Sequence, residues 1–291
     1  MEGIVNIDKP KGLSSFDVIR RLRKIIKMKR IGHTGTLDPL ATGVLVICLG
    51  EATKLASEIE AESKVYVAEM ELGYGTDSYD TEGKVIKSAD ESFDYSQIDS
   101  KFINRIFAEF LGVQKQIPPM YSALKIDGKK LYELARENIE VERKPRDIFI
   151  DYIKFENIEG KKVRFEVKVS KGTYIRTLIE DIGNRIGCFA TMTALRRIRV
   201  GNYKIEDSYT LEMVDEMVSK GESAFVKGVE ESFSGCHKID IDGEREYKLF
   251  KNGNTIVVPD FVDGIYRIYK NGNFEGLGKV EEERLKGYKV F

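Results

Sequence analysis

The sequence predicts an α+β protein: a mixed, largely antiparallel sheet flanked by helices, followed by a small all-β domain. Three observations lead there. Segments with strand character outnumber helical ones and mostly adjoin one another, which disfavours a doubly wound parallel sheet. Residues 44–49 form one unbroken apolar run, VLVICL, suited to a strand buried on both faces. Beyond about residue 234 short strands are broken by Asp242-Gly243, Asn252-Gly253, Asp263-Gly264 and Asn271-Gly272, pairs that favour tight hairpin turns. The expected division is therefore one domain over 1–233 and a small one over 234–291 of the 291 residues.

The elements follow in order. Residues 4–7 read as a strand ended by the turn Asp8-Lys9-Pro10-Lys11-Gly12. Ser14 or Ser15 can cap a helix with Asp17 in its first turn, and Val18, Leu22, Ile25 and Ile26 recur at helical spacing on one core face. A glycine-punctuated loop over 32–43 precedes the apolar strand at 44–49. Residues 64–73 alternate as a strand, and a long polar loop over 76–83 follows. Residues 98–112 look helical, with Phe102, Ile106, Phe107 and Phe110 on one side, and a second helix is expected near 131–136. Strands at 148–156 and 162–169 flank the hairpin signal Asn157-Ile158-Glu159-Gly160. Gly172-Thr173-Tyr174-Ile175-Arg176 leads into a helix ending near 186, and 206–233 is acidic and helical.

Composition narrows the chemistry. With 42% hydrophobic and 33% charged residues the chain reads as soluble and globular. It has no run of eighteen apolar residues and no secretory signal pattern, so a cytoplasmic protein without a membrane partner is expected. Cys48, Cys188 and Cys236 form no close-spaced pair, which argues against a disulfide framework or a zinc site. With only His33 and His237 available, a transition-metal enzyme is disfavoured, and a Ser-His-Asp hydrolase would have to use one of the two. Metal-free chemistry on an Asp or Glu is the economical expectation. The net charge is −1, but its distribution is uneven. Residues 1–35 hold nine basic and three acidic side chains, and 161–204 hold eleven and three. Such segments are either solvated faces or the footprint of a polyanion.

The loop Gly32-His33-Thr34-Gly35-Thr36-Leu37-Asp38-Pro39-Leu40-Ala41-Thr42-Gly43 is the densest cluster of functional groups. Its single carboxylate, Asp38, is biased toward extended backbone by Pro39. The glycines permit tight turns and close approach of a ligand.

Residues 32–39 closely resemble the catalytic motif of the bacterial tRNA pseudouridine synthase B family. The resemblance continues in order through Lys9-Pro10-Lys11-Gly12-Leu13-Ser14-Ser15, Lys64-Val65-Tyr66 before Leu72-Gly73, and Pro118-Pro119-Met120-Tyr121-Ser122-Ala123-Leu124-Lys125. It goes on through residues 128–136, Lys171-Gly172-Thr173-Tyr174-Ile175-Arg176 and Leu195-Arg196-Arg197. The last fifty or so residues resemble, more weakly, a reduced PUA domain.

The resemblance implies a pseudouridine synthase fold and formation of pseudouridine at position 55 in the T loop of tRNA, on a flipped-out uridine. It implies no cofactor, because the isomerisation moves a glycosidic bond from N1 to C5 without electrons or a group donor. Asp38 takes the place of the family's catalytic aspartate, acting as nucleophile or as base. Arg176 takes that of the arginine paired with it, Tyr66 that of the active-site tyrosine, and Leu195 that of an apolar wall of the uracil pocket. His33 is expected to fill the gap left by the extruded base and not to transfer protons. Lys9, Thr36, Lys64, Tyr174, Lys125, Lys130 and Arg136 are the other expected RNA contacts. An insertion at about 113–147 is expected to close over the T loop, with the tRNA T-arm stem-loop as partner, no obligatory protein partner, and a monomeric state. Two other readings share these residues: a non-catalytic T-loop RNA chaperone, and a guide-RNA-dependent pseudouridine synthase subunit.

Overall fold

Residues 1–126, 128–137 and 139–290 are described by a computed structural model. Asp127 and Asn138, both within the expected insertion, and Phe291, the last residue of the expected C-terminal domain, lie outside the described residues.

In chain order the first part comprises β1 (Gly3–Lys9), α1 (Ser15–Ile26), β2 (Ile31–His33), β3 (Thr42–Leu49), α2 (Ala56–Ala61) and β4 (Lys64–Leu72). Next come β5 (Tyr74–Thr76), β6 (Val85–Ser88), α3 (Ser100–Ala108), β7 (Gly112–Gln116), β8 (Lys125–Ile126), β9 (Lys129–Lys130) and α4 (Leu131–Arg136). The long strands β10 (Arg146–Glu159) and β11 (Lys162–Val169) follow, then α5 (Ile175–Ile186), β12 (Ala190–Val200), β13 (Tyr203–Lys204), α6 (Leu211–Ser219) and β14 (Val226–Lys227). The C-terminal part holds β15 (Lys238–Asp240), α7 (Glu244–Lys251), β16 (Ile256–Val257), β17 (Gly264–Lys270), β18 (Asn273–Glu281) and β19 (Arg284–Val290).

One mixed sheet runs β14-β1-β3-β12-β4-β11-β10-β7, with β2 on β3 and β13 on β12. Its pairs are antiparallel except β3 with β12, where Gly43 lies opposite Arg197. Alternation in β3 decides which side chains go where. Leu45, Ile47 and Leu49 join the main core with Val18 and Leu22 of α1, whereas Val44, Val46 and Cys48 pack on the other face with Ile59 and Tyr203. Both faces are covered, which is why that strand reads as an unbroken apolar run. The α1 start is fixed by a capping box: Asp17 N–H donates to Ser14 Oγ, and Ser14 N–H donates to Asp17 Oδ2 at 3.0 Å.

Several elements depart from the sequence reading. The helix expected over 98–112 is shorter, and the chain re-enters the sheet at Gly112. Residues 157–159 continue β10, and the turn to β11 falls two positions later, centred on Gly160-Lys161. The acidic stretch at 206–233 is not helical throughout, since β14 pairs with β1. In the C-terminal part Gly243 and Asn252 flank α7, so two of the four Asx-Gly pairs bracket a helix; Asn271-Gly272 joins β17 to β18. The last hairpin turns on Glu282 and Glu283, both at positive φ.

Among the described residues no helix is long and apolar enough to cross a membrane.

Candidate active site

Asp38 sits on the loop between β2 and β3, and the loop is held from several sides. Leu37 N–H donates to Ser15 Oγ at 2.8 Å, and that hydroxyl is 3.1 Å from the Leu37 carbonyl. Gly12 N–H donates to the Pro39 carbonyl at 2.8 Å, and Ala41 N–H to that of Asp38 at 3.1 Å. The backbone on both sides of the carboxylate is therefore tied to the start of α1 and to the preceding turn.

Three buried cations lie against the same loop, two of them bonded to it. Lys9 is fully buried and its Nζ donates to the carbonyls of Leu13 at 2.6 Å, Pro10 at 3.0 Å and Pro39 at 3.4 Å. Lys64 donates to the Glu60 and Glu62 carbonyls, and Arg197 to those of Val44, Gly35 and Thr36. None of the three forms an ion pair among the described residues. Burial depresses the Lys9 and Lys64 ammonium groups to about 8, partly opposed at Lys9 by Asp38. Lys9 and Lys64, expected as RNA contacts, are thus not at the surface. Their donors already serve backbone carbonyls: Lys9 braces the loop at Pro39, and Lys64 ties down the 60–62 segment before β4.

Arg176, at the start of α5, organises the centre. Its Nε donates to Asp38 Oδ2 at 2.9 Å, Nη1 to the Ser78 carbonyl at 2.9 Å and Nη2 to the Tyr121 carbonyl at 2.8 Å. Asp80 Oδ2 stands 3.6 Å from the same Nε. The Arg176 and Asp80 side chains are 4% and 5% exposed, whereas that of Asp38 is 35% exposed. The network therefore has two closed members and one carboxylate that outside molecules can reach. Asp80 is the residue the sequence reading missed. The polar stretch 76–83 hid it, although Asp77, Ser78, Asp80 and Gly83 together read as a tight structured turn. Ser78 Oγ and Glu82 N–H both donate to Asp80 Oδ1, at 2.6 and 3.0 Å.

Tyr66 on β4 and Leu195 on β12 are each 7% exposed and belong to one apolar cluster with Leu37 and Leu40. Ala68 pairs with Leu195 and Tyr66 with Arg197, so these four side chains share a face of the sheet. His33 is half-buried; burial and the Arg197 charge hold its imidazole below its ordinary pKa, and its Nδ1 has no hydrogen-bond partner among the described residues. Thr36, Lys125 and Arg136 are exposed, and Lys130 and Tyr174 half-buried. Lys130 and Arg136 both lie over the Tyr132 ring, at 5.3 and 5.5 Å from its centroid. The start of the expected insertion is anchored beside Arg176: the Gln116 side-chain amide exchanges hydrogen bonds with the backbone of Tyr174 at 2.8 and 3.0 Å. Among the described residues no group of three or more His, Cys, Asp or Glu side chains could hold a metal ion.

Residues 23–175 match the model for the N-terminal domain of the TruB family of pseudouridylate synthases, and 176–232 that for the tRNA pseudouridylate synthase B C-terminal domain. Residues 243–291 match the model for the C-terminal region of pseudouridine synthase II TruB. The chain belongs to the TruB family. It is 50% identical over 293 residues to tRNA pseudouridine synthase B of Fusobacterium nucleatum subsp. nucleatum, with all of both chains covered. The corresponding protein of Clostridium kluyveri is 42% identical over 297 residues, again with full coverage of both. A chain in the crystal structure of a Cbf5-Nop10-Gar1 complex superposes with a TM-score of 0.73 and 27% identity, covering 99% of this chain and 83% of that one. In this TruB-family enzyme, Asp38 and Arg176 fall in two different family segments, and the 2.9 Å ion pair joins them.

Proposed function

We propose that this chain converts uridine to pseudouridine at position 55 in the T loop of tRNA, with Asp38 acting on the extruded nucleotide. The observation that carries the reading is the asymmetry of the carboxylate network: Asp38 is open while its partners Arg176 and Asp80 are closed. The relatives named tRNA pseudouridine synthase B support tRNA as the substrate.

The reaction needs a bond broken between N1 and C1′, the base turned, and a bond made between C5 and C1′, with a proton lost from C5 and one gained at N1. A carboxylate fixed by a buried guanidinium can attack the sugar carbon or take a proton from the sugar; both use the same open oxygen. Tyr66 and Leu195 supply a flat and an apolar surface for the uracil. His33, neutral at pH 7, offers a ring for the vacated stack. Thr36, Tyr174, Lys125, Lys130 and Arg136 hold the loop and its phosphates. The proposed enzyme is a monomer without an obligatory protein partner.

The test is Asp38→Asn with an unmodified tRNA transcript and the chain alone. Loss of pseudouridine with retained RNA binding is expected, and product at the wild-type rate would refute the assignment. An inactive wild-type chain that needs a guide RNA would refute the stand-alone reading.

A further inference from the structure

The outer face of α1 carries a feature that the site above does not use. Phe16, Arg20 and Arg23 are spaced i, i+4 and i+7, which lines them up on one side of the helix. All three are exposed, and Phe16 is 53% exposed. The guanidinium carbons of Arg20 and Arg23 stand 5.7 and 5.9 Å from the centroid of its ring, within cation–π range. Lys24 and Lys27 lie alongside, also exposed. Among the described residues Arg23, Lys24 and Lys27 form no ion pair, and Arg20 pairs with Asp17 at 3.2 Å. Arg21 lies on the flank, within range of Glu212 on α6.

A phenylalanine more than half exposed buries little apolar area, so packing does not account for it. An open ring between guanidinium groups, with further cations in line, is the combination that holds a nucleic-acid strand: the ring takes a base face and the cations take phosphates. Position agrees with this use. Ser15, next to Phe16, is bonded to Leu37, next to Asp38. From there the stripe runs about 16 Å along the helix to Lys27.

We propose that the α1 stripe is a second RNA contact, which holds the substrate strand leading away from the extruded uridine. Phe16 packs against a base or ribose of that strand, and Arg20, Arg23 and Lys27 neutralise the phosphates that follow. The inference rests on the reading of an RNA substrate.

The experiment uses the full chain with Arg20→Gln, Arg23→Gln and Lys27→Asn combined, with Phe16→Ala separately, and with Lys154→Gln as an exposed control on β10. Dissociation constants for an unmodified tRNA transcript are measured across a salt series. The triple variant should flatten the log–log salt slope by about two, since each lost phosphate contact removes roughly 0.7–0.9. Phe16→Ala should weaken binding about tenfold, the size of one lost stacking contact. Lys154→Gln should match the wild type. If the triple variant keeps the wild-type slope and affinity while the wild type forms pseudouridine in that transcript, the stripe proposal fails and the function stands. A wild type that neither binds nor modifies the transcript removes both.

Discussion

Replacing Arg176 with methionine separates the structural from the chemical work of the site. The change keeps much of the side-chain length but removes the bonds to Asp38, Ser78 and Tyr121, and strands Asp80 at 5% exposure. Asp38 can turn to water, so its share is screened. Asp80 cannot, and an unpaired buried charge dominates the cost. Breaking a buried pair by removing one partner costs about 3–5 kcal/mol, and most of that should appear here. Asp80→Asn in the Arg176→Met background should then recover about 2 kcal/mol, because the two sites are coupled directly. Chemical denaturation of the four proteins of that cycle measures both quantities. Arg176→Lys isolates the chemistry. It keeps the charge, but one ammonium cannot reach the three acceptors at the spacing of a planar fork. Turnover measured by tritium release from 5-labelled uridine should fall about a hundredfold, the cost of an ångström-scale misplacement, with little change in RNA affinity. Arg176→Met within 1 kcal/mol of wild type, or an Arg176→Lys defect confined to affinity, would overturn the reasoning.

Two further outcomes follow. His33 has its folded-state pKa held below its ordinary value, chiefly by burial and then by Arg197. The unfolded chain therefore binds the proton more readily, and the stability present above about pH 6.5 is lost as pH falls below it. His33→Asn should remove that part of the pH dependence between pH 5 and 7; identical profiles for both proteins would contradict it. Gly43, at φ 99°, has no room for a side chain, because an added Cβ would stand 2.2 Å from the Arg197 carbonyl oxygen. Gly43→Ala should cost about 2–4 kcal/mol through strain and overpacking, and an unchanged thermal midpoint would show that β3 and β12 can separate freely.

What was legible in the sequence depended on how local the cause was. The start of α1, the apolar β3 and the alternation of β4 are set by neighbouring residues; the strands appear where the pattern places them, and the cap falls on Ser14, the first of the two serines offered. The Asx-Gly pairs were less reliable, because a glycine that permits a hairpin also permits the start of a helix, as Gly243 does at α7. The turn at Glu282-Glu283 carries no turn residue at all and is imposed by the strands on either side. In the site, Asp38 stood out by its loop, but its contact with Arg176 spans 138 positions and reached the sequence reading only through family resemblance. Asp80 had neither signal. Lys9 and Lys64 were expected as RNA contacts through the family resemblance, and nothing in the residues beside them announces that each ammonium group is buried against backbone carbonyls.

The reach of Arg176 also bears on how the molecule is made. Its three bonds close gaps of 138, 98 and 55 residues. A chain emerging from the ribosome completes the Asp38 loop early, yet that carboxylate has no aim until α5 has been synthesised and docked. On the proposed reading, a product cut short before α5 keeps the Asp38 loop but lacks the guanidinium that aims its carboxylate. Premature termination should then yield a chain without activity, not one with misdirected activity.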